Sequence, residues 1–174
     1  GKVAALDGFG KKTAEKLLAA IEQKRQFAGL FRYADAIGNA EELIDLMRTH
    51  PDIGQLSLAG SLRRGKEVVK DIDIIATSKN PEQVMKDFTS IEEADEVIAH
   101  GETKSSIRLT NGLQVDLRVV DESSFASALH HFTGSKEHNV ALRQRAKDRK
   151  LKISEWGIFD ISGKKEQKLA CRDE

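Results

Sequence analysis

Asn111-Gly112 separates two short runs, 104 to 110 (KSSIRLT) and 113 to 120 (LQVDLRVV), in which apolar side chains alternate with polar ones. Alternation with a period of two belongs to a strand with one buried face, and Asn-Gly between two such strands is the strongest short hairpin signal a sequence offers. The pair is antiparallel. A chain that holds it among helical segments is α+β rather than a doubly wound parallel sheet. Two more strands read from 55 to 59 (QLSLA) and, with β-branched residues, from 72 to 76 (IDIIA). Helical spacing appears over 34 to 48, where Ile37, Leu43, Ile44 and Met47 share a side, Gly38 interrupts, and His50-Pro51 ends the pattern. Further helices are predicted over 82 to 89, from Phe125 through SFASALHHF, and over 136 to 149. The acidic stretch 91 to 99 suits a helix or an edge strand equally. After it, KLKISEWGIFD reads as one strand followed by a turn through Ser162-Gly163 and a short return, with Trp156 as a packing residue.

At the amino terminus, VAALDGFGKKTAEKLLAAIEQ places Gly8 and Gly10 around a phenylalanine, before a helix from Thr13 to about Gln26. A Gly-x-Gly turn entering a helix aims backbone N–H groups at one phosphate, and Lys11 and Lys12 stand beside it. A plain turn between helices reads equally well.

Chemistry concentrates in residues 60 to 75, GSLRRGKEVVKDIDII. On a strand Asp71 and Asp73 point to one side, and Ile72 and Ile74 to the other. Two neighbouring carboxylates each raise the other's pKa and call for a compensating cation. Mg²⁺ is the natural one, since it takes hard oxygen ligands and keeps positions for water and phosphate. In VDLRV, the face opposite Val115, Leu117 and Val119 carries Asp116 and Arg118, so a third carboxylate is available from another strand. The plainer account has Asp71 capping a turn and Asp73 facing solvent on the sheet. Gly60-Ser61, with Arg63 and Arg64 just after, adds backbone, hydroxyl and guanidinium donors for phosphate, the remaining parts that nucleotidyl transfer requires.

Formal net charge is zero over the 174 residues, which argues mildly against a nucleic-acid partner. The charges are unevenly spread. Lys136 to Lys152 hold seven basic residues against two acidic ones, and Glu82 to Glu96 hold six acidic residues against one lysine. A polyanion on one face and a solvated helix both fit that pattern. A single cysteine, Cys171, leaves no internal disulfide and no cysteine-based zinc site, and the five histidines show no zinc-ligand spacing. No apolar run approaches a membrane span, and no basic start leads into an apolar signal segment. A cytoplasmic, nucleoid-associated location is expected.

Gly-Ser followed by Asp-x-Asp on a strand, with a distant third Asp, resembles the nucleotidyltransferase superfamily of DNA polymerase beta. Together with GETKSSIRL at 101 to 109, VDLRVV at 115 to 120 and HFTGSKEHNVALR at 131 to 143, it resembles the family X DNA polymerases, especially bacterial and archaeal ones, over most of residues 5 to 160. The resemblance implies a palm with a mixed or antiparallel sheet flanked by helices. It also implies a helical, fingers-like element over 1 to 48, the palm over 49 to 125, and a small α/β, thumb-like nucleotide-binding subdomain over 126 to 174.

By the same resemblance, Asp71, Asp73 and Asp116 hold two Mg²⁺ ions, with Mn²⁺ as a substitute. Gly60, Ser61, Arg64 and Arg32 meet the triphosphate, while His131, Phe132, Thr133 and Gly134 lie against the incoming sugar and base. Asn139 and Arg143 probe the minor groove of the nascent pair. Arg118 toggles the site, and Gly8, Gly10, Lys11, Lys12, Lys104 and Arg118 form the DNA-contacting set. The partners implied are a primer–template or gapped DNA and a deoxynucleoside triphosphate, handled by a monomer in repair or gap filling. Tyrosine is frequent in the family where His131 stands, so the sugar discrimination that goes with it does not carry over. An amino-terminal lyase domain and a carboxy-terminal metallophosphoesterase domain are not expected, which suggests a minimal polymerase core. The Gly-Ser and Asp-x-Asp signature alone would also serve a nucleotidyltransferase acting on RNA ends or a small molecule, and a catalytically impaired DNA-binding fragment is the non-enzymatic alternative.

Overall fold

A computed structural model describes residues 12–19 and 29–171. The chain divides into two compact units, Gly1–Leu30 and Phe31–Glu174. In the first, residues 12–19 form a helix, α1. Gly8, Gly10 and Lys11, and the rest of the helix expected to run to about Gln26, lie outside the described residues.

The second unit is built on a five-stranded mixed sheet in the order β2-β4-β7-β6-β5. These strands are β2 (Ile53–Leu58), β4 (Asp71–Ser78), β5 (Ala94–His100), β6 (Lys104–Leu109) and β7 (Gln114–Val120). β4 and β7 run parallel, and the other neighbours are antiparallel. Along β4, Ile72, Ile74 and Ala76 face one side. They join Val115, Leu117 and Val119 of β7 and Ile107 and Leu109 of β6 in the main core. That side is closed by helix α2 (Tyr33–Arg48), through Ala36, Ala40, Leu43, Ile44 and Met47, and by α4 (Pro81–Phe88), through Val84, Met85 and Phe88. Helix α2 is continuous through Gly38, because its apolar stripe is anchored to the sheet on both sides of the glycine. It packs with the sheet, within the unit Phe31–Glu174.

On the other side of β4, Ile75 packs with Ala59 and with Ala128 and Leu129 of helix α5 (Phe125–Thr133) in a second, smaller core. The core side of the central strands is thus buried, and on the other side, among the described residues, the second core lies at the end of β4 beyond its aspartates. Ile72 and Ile74 are fully buried, so Ile74→Ala is expected to cost about 2 to 5 kcal/mol of unfolding free energy in urea titrations.

The acidic stretch resolves as edge strand β5, six of whose seven residues are exposed. Its acidic residues suit an edge, where charge discourages pairing with another chain. The β6–β7 connection is longer than a two-residue turn: Gly112 N–H donates to the Leu109 carbonyl at 2.8 Å, Leu109 N–H donates to the Leu113 carbonyl at 2.9 Å, and Gly112 takes the positive φ of 88°. This is a turn closed by a left-handed glycine, for which Gly is well suited.

Gly60–Arg63 form a one-turn helix, α3. Two short strands, β1 (Phe31–Arg32) and β3 (Val68–Val69), pair antiparallel. At the carboxy end, helix α6 (Lys136–Lys147) is followed by β8 (Leu151–Ser154), β9 (Gly157–Asp160) and β10 (Gln167–Lys168) in a separate three-stranded antiparallel sheet. The run read as one strand therefore folds back at Glu155-Trp156. Trp156 sits in that turn and is 55% exposed, so it is not the packing residue the sequence suggested. No helix among the described residues is long and apolar enough to cross a membrane.

Candidate active site

The site is the uncovered end of the sheet's second face. Parallel pairing of β4 with β7 sets Asp73 opposite Asp116 and Asp71 opposite Gln114, so strand register brings three carboxylates from two adjacent strands onto one face. Antiparallel pairing then sets Ser106 opposite Asp116 and Lys104 opposite Arg118.

The three carboxylates are not equivalent. Burial raises the Asp73 pKa to about 6, aided by the negative charges of Asp71 and Asp116, with Arg118 and Lys104 pulling the other way. Asp71 is also raised, first by burial and then by Asp116. Burial acts on Asp116 too, but hydrogen bonds from Gln114, Ser106 and Lys104, and the Lys104 charge, bring it below the ordinary carboxylate range. Gln114 Nε2 donates to Asp116 Oδ1 at 2.8 Å, and Lys104 Nζ stands 3.2 Å from Oδ2. Among the described residues, no three His, Cys, Asp or Glu side chains are disposed to close on one metal ion. The oxygens of Asp116 are turned to Gln114 and Lys104 instead. The donor set nonetheless fits a hard divalent cation: three carboxylates on one face, two of them raised in pKa by burial and by neighbouring carboxylate charge more than the nearby cations lower them.

Gly60 closes one side. Its φ is +62°, and a methyl group there would overlap Asp73 Oδ2 and stand 2.8 Å from Asp73 Cγ. Ala59 N–H donates to the Asp73 carbonyl at 2.8 Å, which ties the start of α3 to the strand carrying the carboxylates. Arg63 Nη1 donates to Thr133 Oγ1 at 3.1 Å, and Arg64 Nη1 donates to the Thr133 carbonyl. The two arginines therefore bridge α3 to the end of α5. The Arg118 guanidinium lies 4.3 Å from the centre of the Phe132 ring, a cation–π contact that joins β7 to the same segment.

Residues 128–174, from within α5 through α6 and the small sheet, match the DNA polymerase beta thumb family. Over 162 residues, 92% of the chain, the sequence is 41% identical to the DNA polymerase/3'-5' exonuclease PolX of Bacillus subtilis (strain 168). The chain belongs to the family X DNA polymerases, of the bacterial type. It spans 28% of the length of that relative.

Other residues implied by the family X resemblance fall in several places. Ser61 lies within α3, half-buried. Phe132, Thr133 and Gly134 meet Arg118, Arg63 and Arg64, as described. His131 faces Glu155, with Nδ1 3.8 Å from Oε2, and packs edge-on against Phe132. Asn139 is 8% exposed, and its Nδ2 donates to the His131 carbonyl at 2.7 Å. Arg143 Nε donates to the Asn139 carbonyl at 3.1 Å. The first turn of α6 is thus pinned to the end of α5, and in this arrangement the Asn139 amide is turned inward.

Arg32 lies on β1 and chelates Asp35, with Nε to Oδ2 at 2.8 Å. Lys12 is the first residue of α1. Lys104, expected at DNA, is on Asp116. Sequence reasoning missed Gln114 and Ser106 as partners of Asp116. Their positions on the polar face of β7 and at the matching register of β6 could have found them, but only with the strand pairing known.

Proposed function

We propose that this chain carries the nucleotidyl-transfer centre of a template-directed DNA polymerase, joining a deoxynucleoside triphosphate to a primer 3′ hydroxyl in repair or gap filling. The observation that carries the reading is the register of β4 and β7, which places Asp71, Asp73 and Asp116 on one face, with Gly60 against Asp73. In this reading the five-stranded sheet is the palm, residues 126 to 174 are the thumb-like part, and the amino-terminal unit is the fingers-like element that holds duplex DNA.

Asp71, Asp73 and Asp116 would hold Mg²⁺, two ions in the family's manner. When bound, these would supply charge stabilisation at the phosphates and lower the pKa of the attacking hydroxyl. The chain's own groups do the rest. Gly60, without a side chain, lets the start of α3 approach the triphosphate. Arg63 and Arg64 lie at the exposed end of α3, where guanidinium forks can exchange Thr133 for phosphate oxygens. Because Thr133 immediately precedes Gly134, that exchange would free the segment expected against the incoming sugar. Arg118, stacked on Phe132, stays close enough to Asp73 to temper its charge. The reaction is in-line: the primer 3′ oxygen forms a bond to the α-phosphorus as the bond to the pyrophosphate oxygen breaks, and the hydroxyl proton is lost to a base.

Primer extension on gapped or recessed DNA with Mg²⁺ tests this. The wild-type chain should extend the primer and Asp116→Ala should not. Equal extension by the two would remove the catalytic reading. Salt-sensitive DNA binding without incorporation by either would leave only a binding module.

A further inference from the structure

Both oxygens of Asp116 are occupied from within the sheet, Oδ1 by Gln114 at 2.8 Å and Oδ2 by Lys104 at 3.2 Å. Lys104 reaches Asp116 diagonally. It pairs directly with Arg118, two residues along β7, and a long side chain spans the diagonal of an antiparallel pair. The two partners differ in burial: the Asp116 side chain is 14% exposed and that of Lys104 41%. A carboxylate so enclosed needs a cation beside it, because an unpaired buried charge is strongly unfavourable. The ammonium, on a flexible stem and more exposed than its partner, can leave to water at less cost than the carboxylate can.

We propose that Lys104 is a resident cation of this face, occupying Asp116 until a divalent ion replaces it, so that the metal affinity of the free protein is set by competition with the ammonium. This rests on the three aspartates being metal ligands. It accounts for why the carboxylates do not close on a common point here, and it gives Lys104 a positioning role distinct from contact with DNA. It also separates Lys104 from Lys70, whose charge acts on Asp71 through space.

The test is titration of the full chain with Mn²⁺, without nucleotide or DNA, followed by the electron paramagnetic resonance of free Mn²⁺ and by calorimetry. Lys104→Met should bind Mn²⁺ about tenfold more tightly, the scale of one displaced ion pair at a partly buried site. Lys104→Arg should bind it no more tightly than wild type, because the charge is kept. Lys70→Met should change the affinity less than about twofold, as expected of an exposed charge acting through solvent. Unchanged or weaker binding by Lys104→Met overturns the proposal, and so does equal tightening by Lys70→Met, which would mean a general field. Circular dichroism in EDTA checks that Lys104→Met is folded, and Lys104→Gln, with the same expected tightening, replaces it if it is not. Asp116→Ala keeps the two readings apart. If it binds Mn²⁺ as wild type does, the metal-ligand reading itself fails; if it loses binding while Lys104→Met gains none, only the role of Lys104 fails.

Discussion

Asp73→Asn is expected to lower primer extension by a factor on the order of a thousand while making the metal-free protein more stable. The loss follows from removing one of three carboxylates on the site face, with shape and backbone retained. The gain follows from the Asp73 pKa, raised from 3.8 to about 6. Between those values the folded state holds more protons than the unfolded one, so stability falls as pH rises from about 4 to about 6, and above that the penalty is complete. The difference corresponds to about 3 kcal/mol, and about 2 kcal/mol after allowance for the solvent that reaches the site. Urea unfolding in EDTA should therefore show Asp73→Asn and wild type close together near pH 4 and well separated at pH 8. A gap independent of pH would falsify the assignment of this cost to Asp73. The site is a place where the fold bears buried, mutually repelling carboxylates that Arg118 and Lys104 relieve only in part, a common form of trade-off between stability and activity.

Gly60→Ala is the second large effect, expected to cost about 2 to 4 kcal/mol and most of the activity. Two terms add: a side chain in the left-handed region, and a methyl group overlapping the Asp73 carboxylate. Gly65 separates them, because its φ of +64° is nearly that of Gly60 and a Cβ there meets nothing within 4 Å. Gly65→Ala should cost only about 1 kcal/mol and leave primer extension near wild type. If the two substitutions prove equal in denaturant midpoint and in extension, the close approach of Gly60 to Asp73 is not what the glycine serves.

Much of the site was legible because its signals are local. The alternation in DIDI is enough to put Asp71 and Asp73 on one side, and that in VDLRV separates Asp116 and Arg118 from Val115, Leu117 and Val119. Gly60 was legible as a position where backbone must come close, though its contact turned out to be Asp73. Elsewhere local signals were ambiguous. Residues 91 to 99 carry β-branched and acidic residues in an order that suits either an edge strand or a helix, and only the pairing of 94 to 100 with β6 decides. Trp156 appeared to be packing because large aromatics usually are, yet it falls at a two-residue turn between β8 and β9. Lys104 reads as one more basic residue until its strand is placed beside β7.

The sequence by itself determined the α+β class, the β6–β7 hairpin, the shared face of Asp71 and Asp73, and the family, since each depends on period or motif within a short stretch. Only the tertiary structure decided that β4 lies parallel to β7 with Asp73 opposite Asp116, that Arg63 and Arg64 reach across to Thr133, and that Asp116 carries Lys104 and Gln114. Asp73 and Asp116 are 43 positions apart and Arg63 and Thr133 are 70, while Lys104 reaches Asp116 across the diagonal of a strand pair. Such contacts depend on register and on packing around a common core, which no local periodicity encodes.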